Sequence, residues 1–260
     1  MPKVDVNDTE LYYEIDGDGQ TVVVLAHGGT STHQHWWQQV AAFRDRYRCI
    51  TYDARGFGLS GRQPNLHGTR GHAEDLLRLL DALAVERAVL VGHSMGGFAV
   101  SGVAQHDPER VAGLVMVDTP FGFRTEALGR WAGQMIDKLQ DGFDVVAACE
   151  SPTFAMRRPD LAFLTMSIAR LNPPRSGPRG FDAYEEMRAL PAGDYREFAV
   201  PTLFVVGDED ALTVPWLIEA TASAIPGARV ETIAGSGHSP HFEQADAFNA
   251  VLAKWLAALA

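Results

Sequence analysis

Residues 88–97 read Ala88-Val89-Leu90-Val91-Gly92-His93-Ser94-Met95-Gly96-Gly97. The apolar run that opens this stretch predicts a buried strand, and the residues from Gly97 to Gln105 are typical of a helix. Between them stands G-x-S-x-G, in which a serine occupies a sharp strand-to-helix turn and small neighbours let strand and helix approach each other. Such a turn exposes the serine hydroxyl beside the first N–H groups of a helix, which indicates a nucleophile.

Strand-like and helix-like segments alternate on both sides of this turn. Strand patterns fall at residues 11–16, 21–26, 47–52, 87–91, 111–117, 202–207 and 229–233, and helix patterns at 34–46, 71–83, 97–106, 214–224 and 240–259. Most of these strands are apolar throughout, as in a parallel sheet that is covered on both faces. The sequence therefore predicts an α/β fold, with a mostly parallel central sheet flanked by helices.

The alternation stops between residues 120 and 191. Helical pieces are predicted there at residues 126–139, 160–171 and 182–190, with a Pro/Gly-rich loop at 172–180 and no strand pattern. We predict that residues 1–119 and 192–260 form one core and that residues 120–191 form an inserted helical cap over the carboxyl edge of its sheet.

Composition narrows the classes of partner. The net charge of −11, from 22 basic and 33 acidic residues, argues against binding to nucleic acid or to an anionic membrane surface. The N-terminus lacks the pattern of a signal peptide, and the apolar runs are too short to span a bilayer. Two cysteines, Cys49 and Cys149, do not make a disulfide framework. We expect a cytoplasmic protein with a small-molecule partner, no nucleic-acid or membrane partner and an unassigned oligomeric state.

A serine nucleophile needs a base and a third group that orients the base. In chains with this turn the order is serine, acid, histidine. Asp210 follows one predicted strand and His238 lies in a small-residue loop after the next, so the topology brings both to the edge of Ser94. Asp118, which ends the strand at 111–117, is the alternative acid. His241 is a weaker alternative base, because it is expected to begin the last helix.

The negative charge that develops during acyl transfer needs N–H donors. Met95 directly follows the serine and supplies one of them. The other is expected from the loop after the strand at 21–26, where glycine lets the backbone approach a substrate oxygen. Gly29 is the preferred donor, with Gly28 and Thr30 as alternatives in register.

Taken together, these segments resemble the α/β-hydrolase-fold enzymes of the esterase, enol-lactonase and C–C hydrolase type. The matching segments, in family order over nearly the whole chain outside the cap, are residues 27–29, 52–60, 92–97, 201–210 and 237–238. The resemblance implies Ser94 as nucleophile, His238 as base and Asp210 as acid. C–C hydrolases of ring-cleavage products usually carry asparagine just before the serine, where this chain has His93.

The sequence thus favours a serine hydrolase that cleaves small, largely apolar carboxylic esters or lactones through an acyl-enzyme on Ser94, without a cofactor. C–C bond hydrolysis or perhydrolysis with the same triad is the alternative. A ligand receptor on the same fold would be expected to have lost part of the triad.

Two further expectations concern the surroundings of the triad. The side chains predicted to contact substrate are Trp36, Trp37, His93, Phe121 and Trp131. His33 and His35 are spaced as i and i+2, so on a helix they do not face each other, and no metal site is predicted.

Overall fold

The computed structural model describes residues 2–62, 68–173, 184, 187–189 and 191–259. The strands are β1 (Lys3–Val6), β2 (Thr9–Asp16), β3 (Val22–Ala26), β4 (Arg48–Tyr52), β5 (Ala88–His93), β6 (Val111–Val117), β7 (Thr202–Gly207) and β8 (Arg229–Ile233). The helices are α1 (Trp37–Phe43), α2 (Gly68–Ala82), α3 (Gly96–His106), α4 (Glu126–Gln140), α5 (Phe154–Arg157), α6 (Pro159–Ala169), α7 (Pro215–Ser223), α8 (Pro240–Glu243) and α9 (Ala245–Leu259). None of the helices in these ranges is long and apolar enough to cross a bilayer.

The eight strands form one sheet in the order β1-β2-β4-β3-β5-β6-β7-β8. The strands from β4 to β8 in that order run parallel to one another, while β1 and β2 pair antiparallel at one edge. The predicted α/β fold with a mostly parallel sheet is therefore confirmed. The sequence patterns did not predict β1, because Lys3–Val6 is short and has only two apolar residues.

Both faces of the sheet are covered, as its uniformly apolar strands require. Along β3, Val24 packs into the cluster that includes α2, α3 and α7, while Val23 and Leu25 pack into the cluster that includes α1 and α9. Successive strand residues point to opposite faces, so a run without polar positions must be buried on both sides. The carboxyl edge is left as the place where loops can form a site.

The glycines of the turn after β5 are required by close packing. A Cβ on Gly92 would lie 2.4 Å from a methyl of Val100, and one on Gly96 would lie 2.4 Å from the carbonyl oxygen of Ala26. Between them Ser94 has φ of +48°, in the left-handed region that non-glycine residues seldom occupy. The packing of β3, β5 and α3 thus holds the serine in a strained conformation.

The described residues between β6 and β7 form helices joined by turns and loops, without a strand. Helix α4 buries Leu128 and Trp131 in a cluster that it shares with α7. The predicted loop 172–180 and helix 182–190 fall mostly outside the described residues, so the boundaries of the cap stay a prediction. The predicted helix 34–46 is divided into a 3₁₀ turn (His33–Trp36) and α1, and Thr32 caps the turn through the N–H of Gln34.

Candidate active site

Ser94 lies at the carboxyl edge of the sheet, between the end of β5 and the start of α3. Its N–H donates to the carbonyl of Val117 at 3.0 Å, which fixes the turn to the neighbouring strand. Met95, the next residue, is the N-cap of α3. The first N–H groups of a helix have no partner within the helix, so the backbone beside Ser94 is suited to binding a negative charge.

His238 and Asp210 form a buried pair on this edge. His238 Nδ1 lies 2.8 Å from Asp210 Oδ2, and both side chains are almost fully buried. Because a carboxylate can only accept, Nδ1 carries the proton, and the lone pair of the imidazole is on Nε2. That Nε2 atom is buried without a hydrogen bond, and His238 and Ser94 line the same cavity.

Asp210 is held in place by the loop that follows β7. Its Oδ1 accepts from the N–H groups of Leu212 and Thr213 at 2.7 and 3.0 Å, and its Oδ2 accepts from the Thr213 hydroxyl at 2.7 Å. Burial acts to raise the pKa of Asp210, but the charge and hydrogen bond of His238 outweigh it and hold the pKa below its usual range. Asp210 is thus an ionised carboxylate aimed at Nδ1.

Asp118, the alternative acid, lies next to the Asp210–His238 pair, but the Nδ1–H of His238 donates to Asp210. It has φ of +43°, and its Oδ1 accepts from the N–H of Gly207 at 2.9 Å. Burial and the neighbouring charge of Asp210 raise the pKa of Asp118 well above its usual range. Asp118 is therefore a neutral carboxyl group beside the charged Asp210.

Glu243 holds the loop that carries His238, and the sequence patterns did not predict this role. Its carboxylate is buried and accepts from the N–H groups of Gly237 (3.1 Å), Ser239 (3.3 Å) and Ser151 (3.0 Å). Two of these donors flank His238. A carboxylate one turn beyond the histidine loop is the only signal in the sequence, and it does not reveal these backbone contacts.

The glycine loop after β3 approaches the serine from the other side. Gly29 and Thr30 line the cavity, whereas Gly28 lies against His93, where a Cβ would be 2.6 Å from Nδ1. His27 fixes the loop, because its Nδ1 donates to the carbonyl of Gly28 at 2.7 Å and its Nε2 accepts from a backbone N–H at 2.9 Å. This placement favours Gly29 or Thr30 over Gly28 as the second oxyanion donor.

The cavity in front of Ser94 has a volume of about 200 Å³. Its apolar wall includes Phe121, Val145, Phe154, Met166, Leu212 and Phe242. Glu150 and Glu243 are its acidic residues, and the described residues that line it include neither lysine nor arginine. Burial and the charge of Glu243 raise the pKa of Glu150 to about 7.

Comparison with known proteins agrees with this geometry. Residues 23–251, most of the chain, match the model of the alpha/beta hydrolase family. The chain belongs to this family. The expected resemblance is thereby confirmed, and the protein is a hydrolase of the alpha/beta fold.

Proteins similar to this chain are named for different substrates. A putative carbamate hydrolase RutD of Azorhizobium caulinodans is 30% identical over 97% of either chain. Among solved structures, a thermophilic esterase from Thermogutta terrifontis has a TM-score of 0.79 and 25% identity, covering 100% of this chain and 99% of its own. The enol-lactonase from Burkholderia xenovorans LB400 has a TM-score of 0.75 and 25% identity, covering 98% of this chain and 100% of its own.

Of the side chains predicted to contact substrate, His93 and Phe121 line the cavity of this hydrolase and the three tryptophans do not. Trp36 is fully buried against His241 and Phe248 in the core. Trp37 is 45% exposed and lines a separate surface pocket.

Trp131 is buried in the cluster of α4, where its Nε1 donates to the carbonyl of Leu212 at 2.9 Å. None of the three tryptophans lines the cavity in front of Ser94, because the direction of a side chain decides what it contacts, and their contact with substrate stays a prediction.

Three buried histidines, His35, His93 and His241, lie behind the serine, with one nitrogen of each within 4.8 Å of the others. His35 Nδ1 is 3.0 Å from His241 Nε2, and His93 Nε2 donates to the carbonyl of His238 at 2.7 Å. Burial lowers the pKa of all three, that of His35 to about 3. His93 Nδ1 and His241 Nδ1 are buried without a hydrogen-bond partner among the described residues, while ring contacts join His35 to Phe242 and His93 to His241. Neutral imidazoles of this kind can also ligate a metal ion.

Proposed function

We propose that this hydrolase cleaves small, largely apolar carboxylic esters or lactones through an acyl-enzyme on Ser94. The observation that carries the proposal is the buried Asp210–His238 pair: His238 has an unpartnered Nε2 and lines the same cavity as Ser94. Serine becomes a nucleophile when a base with this orientation takes its proton. Catalytic hydrogen bonds are often formed fully only with substrate bound, so the free Nε2 is compatible with this role.

The groups in place account for each proton. His238 Nε2 takes the proton of Ser94 as Oγ attacks the substrate carbonyl, and Asp210 stabilises the charged imidazole. The N–H groups of Met95 and Gly29 receive the oxyanion, and loss of one such donor costs about 10²–10³ in rate. His238 then gives its proton to the departing alcohol, takes one from water and returns it to Ser94 as the acid leaves.

The size of the cavity supports a small acyl group. Its volume of about 200 Å³ is below the range of roughly 300–1,000 Å³ for pockets that hold drug-sized ligands. The apolar wall near Phe121 and Met166 favours an aliphatic or aryl portion of the acyl group on that side of the cavity. The structural similarity to an esterase and an enol-lactonase is in keeping with this chemistry.

Initial rates on p-nitrophenyl esters from acetyl to decanoyl, together with a small enol-lactone, test the proposal. We expect the wild type to turn over the short esters best and Ser94→Ala to lose this activity. Ser223→Ala changes an exposed serine of α7 and serves as the matched control. Unchanged ester turnover in Ser94→Ala would refute the proposal. Turnover of a ring-fission dienoate, or peracid formation, in the absence of ester and lactone turnover would establish the alternative chemistry.

We further propose a cytoplasmic location and no partner beyond the small-molecule substrate. Cys49 and Cys149 are both free, as is common in reducing compartments. Cell fractionation with an antibody to the chain tests this location.

A further inference from the structure

The cavity has one carboxyl group that the rest of the site does not use. Of its two acidic residues, Glu243 is fully engaged by three backbone N–H groups. Glu150 makes no hydrogen bond or ion pair with any of the described residues, although it is only partly exposed. A partly desolvated carboxyl group without a protein partner is costly, and it gains most from a donor that a ligand brings.

The charges around Glu150 favour a cationic donor. Glu243 adds a second acidic group to the same cavity, and the described lining residues include no lysine or arginine. Arg157 is not among the residues that line the cavity; its guanidinium donates to the Ser151 hydroxyl at 3.0 Å and to the carbonyl of Gly235 at 2.7 Å, and its charge acts on Glu243. A cavity lined by two acidic residues, with no lysine or arginine among its described lining residues, favours ammonium and N–H groups over carboxylates.

We propose that Glu150 forms a subsite for an ammonium or amide N–H group of the substrate, so that amine-bearing acyl groups are preferred and acyl groups with a second carboxylate are rejected. This inference rests on the proposed ester chemistry at Ser94. The raised pKa of Glu150 is consistent with it, because a cationic group in the cavity would stabilise the ionised carboxylate.

Three ethyl esters of matched size test the subsite at pH 8. They carry a 3-aminopropanoyl, a butanoyl or a malonyl monoanion acyl group, whose numbers of non-hydrogen atoms differ by at most one, and so they differ mainly in charge. A charged hydrogen bond in a partly buried site predicts that wild-type kcat/KM is about tenfold higher for the amine than for the butanoyl ester, and at least tenfold lower for the anion. In Glu150→Gln, which keeps the shape and removes the charge, both ratios should approach one.

The control is Glu231→Gln, an exposed glutamate of β8, which should leave both ratios as in the wild type. Equal ratios in wild type and Glu150→Gln, or a preference for the anion, would overturn the subsite while leaving the ester hydrolase intact. If no ester is turned over, the proposed function fails, and the subsite is then tested by measuring ligand binding. By calorimetry, n-butylammonium should bind the wild type more tightly than butyrate does and lose that advantage in Glu150→Gln, and equal binding in both proteins would refute the subsite.

Discussion

The substitution Asp118→Asn should stabilise this hydrolase at neutral pH. The buried carboxyl of Asp118 has a pKa well above the ordinary value of 3.8, because of its burial and the charge of Asp210. Asparagine keeps the oxygen that accepts from the N–H of Gly207, and it places an N–H group where the neutral carboxyl has its proton. The variant thus differs from the wild type mainly by lacking a group that must take up a proton on folding.

The sign and size follow from linkage. A carboxyl with a raised pKa holds its proton in the folded state, while the unfolded chain releases it above pH 3.8, so the wild type loses stability as the pH rises toward the folded pKa. This loss is about 1.4 kcal/mol per pH unit, and Asp118→Asn does not undergo it. From pH 5 upward the variant should therefore gain about 1.4 kcal/mol over the wild type for each pH unit, until the pH reaches the folded pKa of Asp118.

Urea unfolding at pH 5, 6 and 7 measures this difference. The control Asp45→Asn changes an exposed aspartate in the turn after α1 and should follow the wild-type pH dependence. If the unfolding free energies of Asp118→Asn and wild type change in parallel with pH, or if the variant loses stability relative to the wild type as the pH rises, then Asp118 is ionised in the folded protein.

Three further substitutions test the support of the site. Thr213→Val removes the hydroxyl that donates to Asp210 Oδ2 at 2.7 Å. We expect the free energy of unfolding in urea to fall by about 1–3 kcal/mol and kcat/KM to fall as well. An unchanged kcat/KM would contradict the positioning role of Thr213. Glu243→Gln keeps one accepting oxygen and replaces the other with an NH₂ donor that faces backbone N–H groups. This should lower kcat more than it changes KM in steady-state kinetics, and a change in KM alone would argue against it. Gly96→Ala should lower the free energy of unfolding by about 1–3 kcal/mol, because its Cβ would lie 2.4 Å from a carbonyl oxygen. Gly129→Ala in α4 should raise it by about 0.5–1 kcal/mol, because the nearest atom to its Cβ would be 3.9 Å away. Equal melting temperatures for the two variants would refute the packing argument.

The sheet and the serine turn were predictable because their constraints are local. The strand β3 is apolar at every position, which can only be satisfied by burial on both faces. Gly92 and Gly96 lie where a Cβ would collide with Val100 or with the backbone of Ala26. Because such positions require glycine, the turn leaves a recognisable pattern in the sequence.

The identity of the acid could not be decided from the sequence. Asp118 and Asp210 follow neighbouring parallel strands, and both reach the same edge of the sheet. The contact of His238 Nδ1 with Asp210 depends on the directions of side chains, which the spacing does not encode. For the same reason Trp36 and Trp131, predicted to line the cavity, point into the core instead.

Glu150 and Glu243 were missed for a different reason. An isolated glutamate has no motif, and its role arises from contacts between loops that are far apart in the sequence. The carboxylate of Glu243 joins the loop at Ser151 to the loop at Gly237, 86 residues further along the chain. Only the folded structure shows that Glu243 accepts from three backbone N–H groups while Glu150 has no hydrogen-bond partner among the described residues.

The most direct test of the central claim is covalent labelling of the nucleophile, followed by intact mass spectrometry. With a fluorophosphonate, Ser94 Oγ should displace fluoride from phosphorus while His238 takes the proton of the serine, which adds one label per chain. The account predicts that Ser94→Ala carries no label and that Ser223→Ala is labelled as the wild type. Labelling that persists in Ser94→Ala, or a wild type that hydrolyses esters while the reagent leaves Ser94 unmodified, would contradict it.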